Sequence, residues 1–393
     1  MTTNATGDAA FAAKLYRAMP AAPGNRLVSP LSIRIAFAMA WAGAKGETAE
    51  EMRAALALGD ASTATSNLSA VLADFDARGK QPDTSKMKHD YEKEGALRRV
   101  TTLRVVNRLW GQTGRAFTPA YTKTLDGDFH APLEQLDFMK DPEAARLRIN
   151  GWVEEKTEQK IKNLLGPRSV PSDMRLMLTN AVYFKASWDD PFVEQNTEPK
   201  DFFVNGTTKT TVAMMQSGGH RKYIETPNAT VMSLPYADGH TAMYFVLPKD
   251  KAGLAAVESS FSGSDVTAWT TASGSEMVRY SIPKFKFEGG LAPLIDAMKS
   301  LGIKRAFKFP DADFSGMDGS RELFIGTAVH KTYIALDEKG TEAAAATALG
   351  MRAGGGPPRN PKTFVADHPF MFFIYDDKTA SVLFVGRVVD PTH

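Results

Sequence analysis

Between Thr332 and Pro358 the chain changes its preferred backbone conformation twice, and few folds accommodate both changes. Thr332-Tyr333-Ile334-Ala335-Leu336 is β-branched and apolar and favours a strand. Glu338 to Thr347 then carries four consecutive alanines, the best helix formers. Leu349 to Pro358 ends in three glycines and two prolines, which no regular element tolerates. Taken alone, the stretch also fits an exposed Ala-rich helix followed by a linker. Either way, a strand runs into small residues and then into an extended loop.

The remaining sequence supplies a large core for this segment to work against. Its 393 residues suffice for two or three ordinary domains or one large one. A 43% hydrophobic content with 23% charged residues describes a soluble globular chain. A net charge of +2 gives no electrostatic case for a nucleic-acid partner. Ile35 to Ala44, the longest strongly apolar stretch, is too short to span a membrane. The absence of cysteine excludes disulfides and thiol chemistry and is compatible with any compartment. Met1 to Asp8 has no signal-peptide pattern, so the chain as written reads as cytoplasmic, or as extracellular if an export signal has been trimmed.

Read in order, the pattern predicts a helix from Ala9 to Met19, a short strand and turn over Leu27–Ser32, and an apolar helix from Ile33 to Ala42. Thr48 and Glu51 suggest a capping box for a helix through Leu58. Arg78 to Arg99 mixes charge signs with few apolar residues and reads as a solvated loop or frayed helix end. Strands are expected over Leu103–Trp110, Leu178–Phe184, Val231–Pro235, Thr241–Pro248 and Met277–Phe287. Asp141-Pro142 marks a helix start. A hairpin joins Phe370–Tyr375 to Ser381–Val389 through Asp376-Asp377-Lys378-Thr379.

Several phrases in this sequence carry a family likeness. Glu-x-Gly-Thr-x-Ala-Ala-Ala-Ala-Thr at Glu338–Thr347 resembles the proximal hinge of an inhibitory serpin at every position. Asn25–Ser32 with Gly43–Thr48, and Asn180-Ala181-Val182-Tyr183-Phe184-Lys185 with Trp188, Pro191, Phe192, Thr197 and Phe202, resemble further serpin signatures. So do Asp313–Met317, His368-Pro369-Phe370, Phe384–Val388 and Asp390-Pro391. The resemblance spans roughly residues 8 to 391. It implies an α+β, single-domain serpin fold over 1–393, with three β-sheets, about nine helices and an exposed reactive-centre loop at about 338–362.

It also implies an inhibitor of a serine or cysteine endopeptidase, acting as a monomer with no cofactor. The target protease cleaves the loop and is caught as an acyl-enzyme while the loop becomes a strand of the central sheet. The hinge comprises Glu338, Gly340, Thr341, Glu342, Ala343, Ala344, Ala345, Ala346 and Thr347. The scissile bond falls in the window Arg352, Ala353, Gly354, Gly355: arginine would suit a trypsin-like pocket, alanine an elastase-like one. Ser29, Ser32, Asn180 and His330 match a hydrogen-bonded cluster where the sheet opens, called the shutter. Trp188, Lys284 and Glu338 match the breach at its top, with Lys284 against Glu338. Some serpins bind polyanions in the region of Arg78–Arg99, but Asp83, Asp90, Glu92 and Glu94 dilute the basic residues here.

As an inserting strand, the hinge would place Thr341, Ala343, Ala345, Thr347 and Leu349 on one face and Glu342, Ala344, Ala346 and Ala348 on the other. Burying Glu342 unpaired is costly, which assigns the even face to solvent. The inward residues up to Thr347 are small enough to slip between two existing strands. Ordering a residue costs about 1–2 kcal/mol, while a net backbone hydrogen bond contributes about 1 kcal/mol. Insertion must therefore draw on strain relieved elsewhere in the fold.

Other chemistries find little support. The seven histidines lack HxxxH or HxH spacing, so no metal is expected. No GxSxG, GxxxxGK[ST] or GxGxxG phrase occurs. The alternatives are a non-inhibitory serpin, serving as carrier, chaperone or storage protein, and an unrecognised hydrolase.

Overall fold

A computed structural model describes residues 5–20, 23–342 and 360–392. Ala343, Ala344, Ala345, Ala346 and Thr347 of the hinge, and the whole Arg352–Gly355 window, lie outside the described residues.

The central sheet has strand order β11 (Phe285–Pro293), β12 (Thr327–Leu336), β13 (Gly340–Thr341), β4 (Leu176–Ser187), β2 (Thr102–Gln112) and β3 (Glu134–Leu136). A second sheet runs β1 (Arg26–Val28), β16 (Ser381–Val388), β15 (Phe370–Asp376), β9 (Thr241–Pro248), β8 (Ala229–Pro235) and β7 (Tyr223–Glu225). The third is β14 (Lys362–Val365), β10 (Glu276–Pro283), β6 (Thr208–Arg221) and β5 (Glu198–Val204). The run expected as one strand over Met277–Phe287 is two, split between sheets. Pro283 closes the first, and Lys284, whose N–H bonds the Ala213 carbonyl, turns the chain into the second.

The helices are α1 (Ala5–Ala18), α2 (Pro30–Trp41), α3 (Gly46–Ala55), α4 (Ala64–Arg78), α5 (Asp90–Arg98), α6 (Pro119–Gly127), α7 (Pro142–Lys156), α8 (Leu254–Ser260), α9 (Gly263–Thr271), α10 (Leu294–Ser300) and α11 (Ser315–Asp318). Eleven occur among the described residues, close to the nine expected. The surplus includes α5, which forms inside the stretch read as a solvated loop or frayed helix end, buries no residue and is held by a His89–Glu92 capping box. Thr48 and Glu51 do not cap α3, whose N-cap Lys45 makes no side-chain bond. They instead accept backbone N–H groups, Thr48 from Asp313 and Glu51 from Lys304 and Arg305, tying α3 to a segment 253 to 265 residues away.

Alternation along the central strands fills both faces of the sheet. Leu103 and Leu109 of β2, Leu178, Val182 and Phe184 of β4, and Ile334 and Leu336 of β12 join the main core with α1 and α2. Val106, Trp110, Met177, Ala181, Tyr183, Val329 and Tyr333 project to the opposite face, against Ala145, Ile149, Trp152 and Val153 of α7. A sheet covered on both sides reads as continuous apolar strands, as Leu178–Phe184 does.

Candidate functional site

Along most of their length β12 and β4 are adjacent and parallel, from Thr327 opposite Met177 to Tyr333 opposite Tyr183. Above Tyr333 they part. Gly340 and Thr341 lie between them as β13, antiparallel to both, with Gly340 opposite Ser187 and Thr341 opposite Ala186 and Leu336. The start of the small-residue stretch is thus already a wedge in the sheet. Only glycine fits at the first position, since a Cβ there would lie 2.1 Å from the Ala186 carbonyl oxygen.

Thr341 is fully buried on the main-core face, its hydroxyl 2.6 Å from that of Tyr236. The Tyr236 ring stacks on Trp188 at 4.4 Å. Trp188 grips the turn leading into the wedge: its backbone N–H bonds the Lys339 carbonyl at 2.8 Å and its indole N–H the Asp337 carbonyl at 3.0 Å. Arg98 of α5 donates to the carbonyls of Trp188 and Asp189 from outside.

Lys284 and Glu338 meet at the top of the gap, Nζ to Oε2 at 2.8 Å, and Thr197 donates to the other carboxylate oxygen at 2.8 Å. An exposed pair of this kind is worth about 0.2–1 kcal/mol, but this one is lopsided. The Glu338 side chain is 8% exposed and that of Lys284 40%. Burial pushes the Glu338 pKa up, but hydrogen bonds from Lys284, a backbone N–H and Thr197 outweigh it and hold the carboxyl below the ordinary glutamate range.

Glu342 lies just past β13 and is not part of an inserted strand, so the outward face expected of it in an inserted strand does not apply to this conformation. It turns beneath the segment following α7, and its side chain is 13% exposed. Its carboxylate pairs with Lys160, and its backbone takes φ 48°. Burial and the Glu342 carboxylate together raise the Tyr333 pKa to about 12.

Lower down, the structure brings Ser29, Ser32, Asn180 and His330 together beneath the parallel seam. Asn107, Asn180 and His330 stand side by side across β2, β4 and β12. The backbone N–H of Ser29, the α2 N-cap, donates to His330 Nε2 at 3.1 Å. His330 Nδ1–H therefore donates to Asn180 Oδ1. Asn180 Nδ2 donates to Ser32 Oγ at 2.6 Å and to Asn107 Oδ1. Asn107 Nδ2 donates to the Ser32 carbonyl at 2.9 Å. A strand entering between β4 and β12 would have to separate His330 from Asn180.

Sequence reading missed Asn107, although its period-2 place among Leu103, Val105 and Leu109 marks a buried polar residue in need of partners. Lys160, Arg98 and Tyr236 had no local signal.

Full burial lowers the His330 pKa to about 3, so the ring is neutral at pH 7. The unfolded histidine binds a proton near pH 6.5. Between these values the unfolded state holds more protons, so stability falls as pH drops below 6.5, approaching about 1.4 kcal/mol per unit. His330→Gln should remove this contribution between pH 6.5 and 5, read as a smaller loss of unfolding midpoint than in the parent. Equal pH dependence in both proteins would contradict the assignment.

Among the described residues, no group of three or more His, Asp or Glu is placed to hold a metal.

Comparison with known proteins places this architecture. The family profile described as "Serpin (serine protease inhibitor)" matches residues 6–391. An uncharacterized serpin-like protein of Thermococcus kodakarensis is 36% identical, covering 97% of this chain and 84% of its own length. Serpin B6 of Macaca fascicularis is 36% identical over 93% of each chain. Among solved structures, Serpin48, a highly specific serpin of the insect Tenebrio molitor, is 30% identical with a TM-score of 0.82, covering 98% of this chain and 97% of the other.

Proposed function

This chain belongs to the serpin family, and from that membership we propose that it inhibits a serine or cysteine endopeptidase by suicide-substrate trapping. The observation that carries the reading is the wedge at Gly340–Thr341. A chain continuing from Thr341 down the seam would run antiparallel to both neighbours. It would replace one parallel pairing with two antiparallel ones, the slightly stronger arrangement per residue. The residues next in line, Ala343 to Thr347, are small enough to enter a sheet packed on both faces.

In this reading Glu338, Lys284 and Trp188 guide the entry, and Ser29, Ser32, Asn180 and His330 hold the seam shut until the strand arrives. Protease cleaves within Arg352–Gly355 and its acyl-enzyme is carried along with the inserting strand. The catalytic residues are the protease's own; this chain supplies bait and stored energy.

Incubation with a panel of serine and cysteine proteases, followed by denaturing electrophoresis, tests the proposal. The expected result is a denaturant-resistant complex with one panel member and release of a C-terminal peptide beginning between Ala353 and Gly355. Cleavage in that window by several proteases, with none retained in any complex, would favour the non-inhibitory alternative.

A further inference from the structure

The Lys160–Glu342 pair lies at the point where the wedge stops. Thr341 is fully inserted, whereas Glu342 has left the extended conformation at φ 48° and its N–H bonds the Ala335 carbonyl at 2.8 Å. A non-glycine residue in the left-handed region carries a conformational cost, so something must hold it there. The carboxylate is captured by Lys160, on the segment following α7. That ammonium also lies 5.9 Å from the centroid of the Tyr333 ring. Tyr333 is the last residue of β12 paired directly with β4.

Lys160 therefore touches both the arrested hinge and the residue at the head of the closed seam. The segment carrying it belongs to the layer that covers this face, with Ile161, Leu164 and Leu165 packed in the same apolar cluster as Tyr183 and Tyr333. For insertion to pass Glu342, that residue must relax to an extended conformation and its carboxylate must leave Lys160.

We propose that Lys160 is a positioning residue that arrests the hinge at Thr341, by holding Glu342 in its turned conformation until loop cleavage frees the downstream chain. This rests on the inhibitory reading and assigns the control of its rate. The Lys160 side chain is 36% exposed, so the pair contributes on the scale of partly exposed ion pairs, up to about 1 kcal/mol. That converts to roughly a two- to fivefold effect on rate. The hold is also screened by salt.

The chain has no cysteine, so Ala348→Cys gives a unique attachment site for an environment-sensitive fluorophore that reports insertion after loop cleavage by excess protease. Lys160→Gln is expected to speed insertion two- to fivefold and Glu342→Gln to match it. The double variant should be no faster than either, because both remove one interaction. Lys160→Arg should keep the parent rate. Raising ionic strength should speed the parent and leave Lys160→Gln unchanged, a response that loss of packing alone would not give. A parent that is cleaved but never inserts would overturn the inhibitory reading and the arrest with it. A parent that inserts at the same rate and with the same salt dependence as Lys160→Gln would overturn the arrest alone.

Discussion

Ala345→Pro is expected to be cut at the same bond as the parent and to release active protease. Thr341 enters the sheet on its main-core face, and alternation puts Ala343 and Ala345 on that face after it. The place they would occupy lies between β4 and β12, with a strand on each side. Proline there removes a ladder donor and fixes φ, which a central strand does not tolerate. Leaving one buried acceptor unpaired costs about 1–3 kcal/mol. Each ~1.4 kcal/mol on the insertion barrier slows that step about tenfold. Trapping is a race between insertion and hydrolysis of the acyl-enzyme, so a slowing of one to two orders of magnitude hands the outcome to hydrolysis. Before cleavage the variant should melt close to the parent. After cleavage, the gain in thermal stability expected of the parent should be reduced or absent. Full-stoichiometry trapping by Ala345→Pro would end the inserting-hinge account.

Reversing the charge of Glu338 carries the second large effect. Glu338→Lys would put two ammonium groups face to face, with one nearly buried, and would deprive Thr197 of its acceptor. Removing one partner of a fully buried pair costs about 3–5 kcal/mol. The 40% exposure of Lys284 lets it turn to solvent, so about 2–3 kcal/mol is expected here. Glu338 also anchors the approach to the wedge, its carbonyl accepting the Phe192 N–H at 2.8 Å. The variant should therefore show faster hydrogen exchange at Thr341 and Ala186, faster self-association through the opened seam, and a lowered unfolding midpoint. The swap Glu338→Lys with Lys284→Glu should recover much of the midpoint. Unchanged exchange, self-association and insertion rate in the single reversal would refute a guiding role for the pair.

How much of this was legible beforehand follows from what each feature depends on. Strand alternation, helix periodicity and turn chemistry are local, and they located β2 and β4, the Asp141 cap and the closing hairpin directly. Where an element depends on distant contacts, the local reading failed. Thr48 and Glu51 have the spacing of a capping box, yet their oxygens serve N–H groups near residues 304–313. Met277–Phe287 alternates apolar and polar residues almost throughout, yet at Lys284 the chain leaves one sheet for another.

By itself the sequence determined the family, the small-residue composition of the hinge and the residues available to the seam, because these are properties of residue type and spacing. Only the tertiary structure decided where Gly340 and Thr341 lie in the sheet and which residue pairs with Glu342. For an inserted strand Glu342 was assigned to solvent because an unpaired buried carboxylate is costly, and that penalty is real. In the turned conformation Glu342 adopts here, outside β13, folding offsets that cost by bringing Lys160 to its carboxylate from a segment about 180 residues earlier in the chain. The burial cost of a charge is a property of the residue, but the partner that offsets it is a property of the fold.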